Sequence, residues 1–399
     1  MPPLHGTTTA RRSPSPRSGV VPGDLVVRRC LSTPGALVTP PDPQELAAAS
    51  RPLHGHGRIR PAELLQAAAD WCREHDVSSD VYGTGALITD FESQVASLLG
   101  FEAARFMPSG TMAQLIALRV HCDMARLPRF GMHPTSHLEL HERRGYSALH
   151  RLEAVLVGPR HQPMRAEHLE AVTEPLGALL TELPIREAGG QLPTWEELQA
   201  LKAAARRRSI PLHLDGARLW ECAPAYGRAL HEITAGFDSC YVSFYKGIGA
   251  LSGCMLLGSA ALIEAASIWQ RRQGGNLYTL LPNVVTARML LERRLQEMPR
   301  WLEHARALAA ALATVPGVQI VPDPPHVNLF HLILDLDPRA APAARDRVAR
   351  RHGIWLFGGV REAERPGAIR LELYVGEAAS SLRIEEIRAA VADLLGPAP

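Results

Sequence analysis

Residues 240–258 read CYVSFYKGIGALSGCMLLG. A short β-branched and aromatic run gives way to a turn of small residues and then to a second apolar run, so strands are expected on both sides of Lys246. Lys246 is one of only two lysines in a 399-residue chain whose lysines and arginines total 43; the other is Lys202. Nearly every generic positive charge is therefore an arginine, and a lysine kept against that bias needs a chemical reason. A guanidinium stays protonated, whereas a desolvated lysine amine loses its proton and can form a Schiff base. A lysine that only lines a glycine-flanked loop is the plainer alternative. Lys202 lies in LQALKAAARRR (198–208), an arginine-rich helical stretch where a solvated surface charge is expected.

Working outward, apolar strand candidates recur at 104–107, 154–157, 178–183, 211–214, 240–244 and 254–257, with helical spacing between them. From residue 51 onward this alternation predicts an α/β fold with a mainly parallel sheet. The near-continuous apolar runs suit strands covered on both faces. Among the helical stretches, PTWEELQALKAAARRR (193–208) opens with Thr194 as a capping residue and Glu197 three positions on. A long helical section at 281–312 leads into VQIVPD, VNLFHLILDL, AARDRVARRHG, IWLF, IRLELYVG and IEEIRAAVADLL. That order, strand, strand, helix, strand, strand, helix, predicts a small α+β domain. The expected organisation is a disordered extension over 1–50, a large domain over 51–295 and a small C-terminal domain over 296–399. The first 50 residues are rich in Pro, Ser and Arg and hold no acid before Asp24, which reads as an extension or a misplaced start. Their prolines oppose the amphipathic helix of a transit peptide.

Composition narrows the function classes. With 46% hydrophobic and 21% charged residues the chain reads as a globular protein with ample core. No apolar run approaches the roughly 20 residues of a membrane span. The net charge is +2 and the arginines are interspersed with acids, which argues against a nucleic-acid surface. The six cysteines, Cys30, Cys72, Cys122, Cys222, Cys240 and Cys254, show no CxxC or metal spacing; no metal site and a cytoplasmic location are expected.

Three separated segments carry the chemistry. PSGTMAQL (108–115) sets Ser109, Gly110 and Thr111 between a strand and a helix, where free N–H groups, two hydroxyls and the helix dipole would cradle a phosphate. Plain capping by Ser109 is the alternative. PLHLDGARLW (211–220) ends a buried strand at Asp215, where ligands bind in open α/β sheets and a carboxylate can hold a heterocyclic nitrogen protonated. A local ion pair with Arg218 is the other reading. Lys246 follows 31 residues after Asp215, one helix and one strand later.

Cradle, acid and lysine in this order resemble the parts of a pyridoxal phosphate enzyme of the aspartate aminotransferase fold. DVYG (80–83), ARFMPSGTMAQ (104–114), SHLELHE (136–142), GGQLP (189–193), LHLDGARLW (212–220), YKGIGALSG (245–253) and RRQGGNLY (271–278) together resemble the threonine aldolase and β-eliminating lyase family over roughly residues 51–390. The resemblance implies pyridoxal 5'-phosphate as cofactor, with Lys246 as its Schiff-base lysine and Asp215 on the pyridine nitrogen. It also implies Arg218 on the ring hydroxylate, Ser109, Gly110 and Thr111 on the phosphate, and His137 stacked on the ring. His137, or a water near it, would be the catalytic base. Arg370, in AIRLELYVG, corresponds to the small-domain arginine that clamps the substrate carboxylate, or else is a surface arginine at a strand edge. Tyr82 corresponds to a tyrosine near the site.

Departures from the family pattern bear on substrate. HGHG (54–57) stands where the family commonly has arginine-serine-aspartate-threonine, and ELPIREAGG (182–190) replaces the segment with a second histidine, leaving Arg186 and Glu187 in that neighbourhood. GGNLYT (274–279) puts Tyr278 where an arginine is usual. The expected activity is cleavage of a β-hydroxy-α-amino acid to glycine and an aldehyde, with a homodimer or homotetramer as the assembly. A β-eliminating lyase, a transaldolase and a catalytically silent pyridoxal phosphate binder are the alternatives.

Overall fold

The computed structural model describes residues 42–396; of the extension expected over 1–50, residues 1–41 lie outside the described residues. Residues assigned to that extension nonetheless form helix Pro43–Ala49, whose first turn is closed by Asp42 accepting from the Gln44 N–H at 3.0 Å, with Leu46 buried beneath it. Proline at the first helical position and an aspartate before it are the signals that start this helix.

The strands, in chain order, are β1 (Arg51–Pro52), β2 (Ala103–Met107), β3 (Arg129–Met132), β4 (Glu153–Leu156), β5 (Ala178–Glu182), β6 (Leu212–Gly216), β7 (Ser239–Ser243), β8 (Cys254–Gly258), β9 (Val318–Val321), β10 (Leu329–Leu334), β11 (Ile354–Trp355), β12 (Arg361–Glu362) and β13 (Ile369–Tyr374). Seven of them form one sheet in the order β2-β8-β7-β6-β5-β3-β4, parallel except for β8, which runs against both neighbours. Strands β6, β7 and β8 are buried at every position, as continuous apolar runs between two helical layers require. A second sheet, β12-β13-β10-β9, is antiparallel throughout, and β1 pairs in parallel with β11. The α/β fold with a mainly parallel sheet is the one the alternation predicted, and the expected small α+β part is built on the antiparallel sheet.

Helix Trp195–Arg207 starts with the expected capping box: Thr194 Oγ1 accepts from the Glu197 N–H at 3.2 Å, and Glu197 returns a carboxylate to the Thr194 N–H at 2.9 Å. Helix Leu281–Ala313 packs on β9 and on helix Pro61–Glu74, and the expected boundary at 295/296 falls inside it. Among the described residues no helix is long and apolar enough to cross a membrane, and no cluster of ligating side chains could hold a metal.

Lys202 departs from expectation. It is buried rather than solvated; its ammonium donates to the carbonyls of Ile233 and Ala235, both at 2.8 Å, and lies 4.8 Å from the Phe237 ring centre. Burial pushes its pKa down to about 8.

Candidate active site

Strands β2, β5, β6 and β7 all present their carboxyl ends, or the turns just beyond them, to one pocket. This is where ligands sit in open α/β sheets. Its lining brings together Gly110, Thr111, His137, Arg186, Asp215, Arg218 and Lys246, which sequence analysis had singled out from five segments.

After β2 the chain turns at Pro108 and Ser109 directly into helix Gly110–Ala125. Ser109 has the extended backbone of a capping residue, yet its hydroxyl makes no capping bond, so the first-turn N–H groups keep their donors free. Glycine at 110 is a packing requirement, because a Cβ there would overlap the Tyr241 hydroxyl. The Thr111 hydroxyl donates to Glu142 Oε1 at 2.9 Å, and the same oxygen takes His137 Nδ1 at 2.9 Å. Anchored in this way, His137 keeps Nε2 as its free ring nitrogen.

Asp215, fully buried near the end of β6, accepts from Gln114 Nε2 at 2.5 Å and from the Ala217 N–H at 3.0 Å. It makes no ion pair with Arg218, whose guanidinium instead lies 3.8 Å from Glu372. Glu182 ends β5 directly opposite Asp215 in the parallel register, so the two side chains share a face on strands about 4.8 Å apart. Burial pushes both carboxyls up. Asp215 has two donors, whereas Glu182 accepts only the Arg186 N–H, at 3.1 Å. Burial and the neighbouring Asp215 push Glu182 up to about 8, while the two donors on Asp215 oppose the effect of its burial and favour its charged form.

Lys246 emerges half-buried from the turn after β7. Burial lowers its pKa, and the charges of Arg218 and Arg186 lower it further, which favours the free amine. The HGHG segment reaches the same turn: His56 Nε2 bonds to the Gly247 carbonyl at 2.7 Å. Burial pushes His56 down to about 4, so the ring is neutral and Nε2–H is the donor.

Arg186 stands between the pocket and the small sheet. It donates to Glu372 of β13 at 2.6 Å and lies 3.4 Å from Glu187. Glu187 also meets Arg361 and Arg370, each at 3.2 Å, and His141 at 2.9 Å. Burial alone would raise the Glu187 carboxyl, but the His141 hydrogen bond and the arginines hold it down to about 2. Arg370 does not line the pocket itself and reaches it through Glu187 and Arg186. Tyr82 is not in the lining either; it is half exposed and its ring meets Tyr278 edge-on at 5.4 Å. Sequence reasoning gave no role to Gln114, Glu142, Glu182 and Glu372; the partners of Gln114 and Glu372 are 101 and 186 residues away, whereas Glu142 and Glu182 have partners within five residues. Glu182 was the most accessible of these, as an acid closing an apolar strand.

Comparison with known proteins agrees with this geometry. The chain is 27% identical over 310 residues to low-specificity L-threonine aldolase 1 of Arabidopsis thaliana, covering 75% of this chain and 86% of the relative. The crystal structure of a candidate L-allo-threonine aldolase from Listeria monocytogenes superposes with a TM-score of 0.83 at 35% identity, over 88% of this chain and 98% of that one. A candidate aromatic amino acid β-eliminating lyase/threonine aldolase from Exiguobacterium gives the same TM-score and coverages at 38% identity. The β-eliminating lyase family model matches residues 75–336, which run from before the turn at Pro108 and Ser109 through Asp215 and Lys246 into the small sheet; the chain belongs to that family.

Proposed function

We propose that the chain is a pyridoxal 5'-phosphate-dependent aldolase that cleaves β-hydroxy-α-amino acids to glycine and an aldehyde. The observation that carries this reading is the convergence of a helix N-terminus with free N–H groups, a buried carboxylate and a half-buried lysine on one pocket. The donor set fits the cofactor: helix N–H groups for phosphate, Asp215 for a protonated ring nitrogen and Lys246 for an aldehyde. Buried oxygens of Gln114, Glu142 and Glu182, all pocket residues, have no protein partner and leave further polar atoms for a ligand. Bound pyridoxal 5'-phosphate would supply an aldehyde for amino groups and an electron-accepting ring.

In this reading Ser109, Gly110 and Thr111 hold the phosphate, Asp215 holds the ring proton, Arg218 faces the ring hydroxylate and Lys246 holds the aldehyde. His137 lies against the ring face, and its Nε2 takes the proton of the substrate β-hydroxyl while Nδ1 stays on Glu142. Arg370 and Arg186 orient the substrate carboxylate, so that the Cα–Cβ bond is the one presented for cleavage. The test is incubation of the cofactor-loaded protein with threonine isomers, phenylserine and β-hydroxyaspartate, with products identified by mass. Glycine and the matching aldehyde are expected. A 2-oxo acid from β-elimination in place of glycine, or no product from any of them, would overturn the reading.

A homodimer or homotetramer and a cytoplasmic location belong to the same proposal. The exposed apolar group of Val81, Tyr82, Leu277 and Tyr278 supports self-association. The unpaired thiols of the five described cysteines support a reducing compartment.

A further inference from the structure

The small sheet sets two guanidinium groups side by side. Arg361 of β12 lies directly opposite Arg370 of β13 in the antiparallel register. Like charges in such pairs repel, so a fold that keeps them needs an anion between them. Glu187 is 3.2 Å from each, but it also serves Arg186 and His141, one carboxylate shared among three guanidinium groups and an imidazole. Glu372 is likewise divided between Arg186 and Arg218. With Arg218 turned to the ring hydroxylate, the remaining three guanidinium groups outnumber these two carboxylates, and Arg361 spends only one of its nitrogens on Glu187. A cavity of about 400 Å3 opens beside them, lined by Arg186, Arg361 and Arg370 with Glu372 as its single carboxylate. Its histidines add no charge of their own, because burial pushes His331 down to about 4 and also lowers His54. Arg186 belongs to this lining and to that of the pocket holding Lys246, so the cavity adjoins the reacting end of the site. Gly358 and Gly359 also line it, and a Cβ at either would meet nothing within 4 Å, which leaves room for a group larger than a methyl.

We propose that the substrate carries a second carboxylate on its β-carbon, a β-hydroxy-α-amino dicarboxylate, and that Arg361 is the residue that selects it. This names the substrate class of the aldolase site proposed above and rests on that reading. One guanidinium fork suffices for the α-carboxylate. A threonine methyl would leave the remaining donors of Arg361, which shares Glu187 with two other guanidinium groups, without an acceptor, whereas a β-carboxylate supplies one.

The experiment uses the cofactor-loaded protein and its R361Q variant. Equilibrium binding of aspartate is compared with that of 2-aminobutyrate, which lacks the second carboxylate, and kcat/KM for β-hydroxyaspartate is compared with that for phenylserine. The wild type should favour the dicarboxylate of each pair by about tenfold or more, the scale of one charge-assisted contact. In R361Q both ratios should collapse toward one, while R361K keeps part of them. Equal binding of aspartate and 2-aminobutyrate to the wild type, or a preference that survives R361Q, would overturn the assignment. Cleavage of phenylserine without dicarboxylate preference would sink this inference and leave the aldolase reading standing. Dicarboxylate-selective binding without glycine release would sustain the anion subsite while sinking the aldolase chemistry.

Discussion

Lys246 and Glu221 show how much one buried ionisable group can decide. Lys246→Ala should keep the fold, because the side chain leaves a turn rather than the core. It should also abolish the visible absorption of the lysine-linked cofactor and lower turnover on the order of 10³-fold or more. A borohydride-trappable cofactor adduct on that variant would show that another amine does the work. Glu221 lies buried beneath the same turn, where a Cβ at Gly247 would overlap its Oε1, and neither carboxyl oxygen has a hydrogen-bond partner in the structure. Burial pushes its pKa up to about 8, above the ordinary 4.5 of an unfolded glutamate. The folded state therefore binds the extra proton between those values, and this contribution to stability is lost as pH rises from about 4.5 through 8. Glu221→Gln removes the dependence. Urea unfolding of the cofactor-free protein at pH 5, 6.5 and 8 should show the variant gaining on the wild type with rising pH, by at most about 1.4 kcal/mol per unit. A gap that stays constant across that range would mean that Glu221 does not titrate there.

At the scale of elements, the turn from β2 into helix Gly110–Ala125 bears the most. Gly110→Ala forces a methyl into the Tyr241 hydroxyl, and the displacement falls on the helix N-terminus assigned to the phosphate. Cofactor affinity should drop by about tenfold to a hundredfold, the range of a 1–3 kcal/mol overpacking cost, as read by equilibrium titration of the visible band. Unchanged affinity would detach the helix N-terminus from the phosphate. Elements of this kind were legible in the sequence because local signals agree: Thr194 and Glu197 announce a helix start, and the apolar runs of β5, β6, β7 and β8 announce buried strands. Strand β3, RFGM, was missed because Gly131 and Arg129 break the run. Gly131 is there because a Cβ would crowd Leu179 on the neighbouring strand, a demand of tertiary packing that leaves no local trace. The site was legible where a residue type is chemically unusual, as with Lys246 and Asp215. It was not legible where a charge takes its meaning from a distant partner. Lys202 lies in an arginine-rich helix, and only the carbonyls of Ile233 and Ala235 reveal it as an interior residue.

At the scale of the whole molecule, the ion pairs of Arg186 and Glu187 tie the pocket end of the large sheet to β12 and β13, so the proposed substrate contacts and the position of the small sheet share the same charges. The exposed group around Tyr82 and Tyr278 lies apart from that junction, and its burial against a second copy is the expected outcome. Light scattering should give at least a dimer, and replacing Tyr82 and Tyr278 together by serine should weaken it; an active monomer would remove the proposed role of this surface. The burial of Lys202 has one more consequence. With that ammonium enclosed by carbonyls and rings and Lys246 recessed in the pocket, no lysine stands freely exposed, and the described exterior is nearly inert to acylating reagents. An activated ester applied at mild alkaline pH would then act as a titrant of the pocket itself. Intact-mass measurement should find one lysine acylated in cofactor-free protein and none once the cofactor occupies Lys246, with the α-amine reacting equally in both.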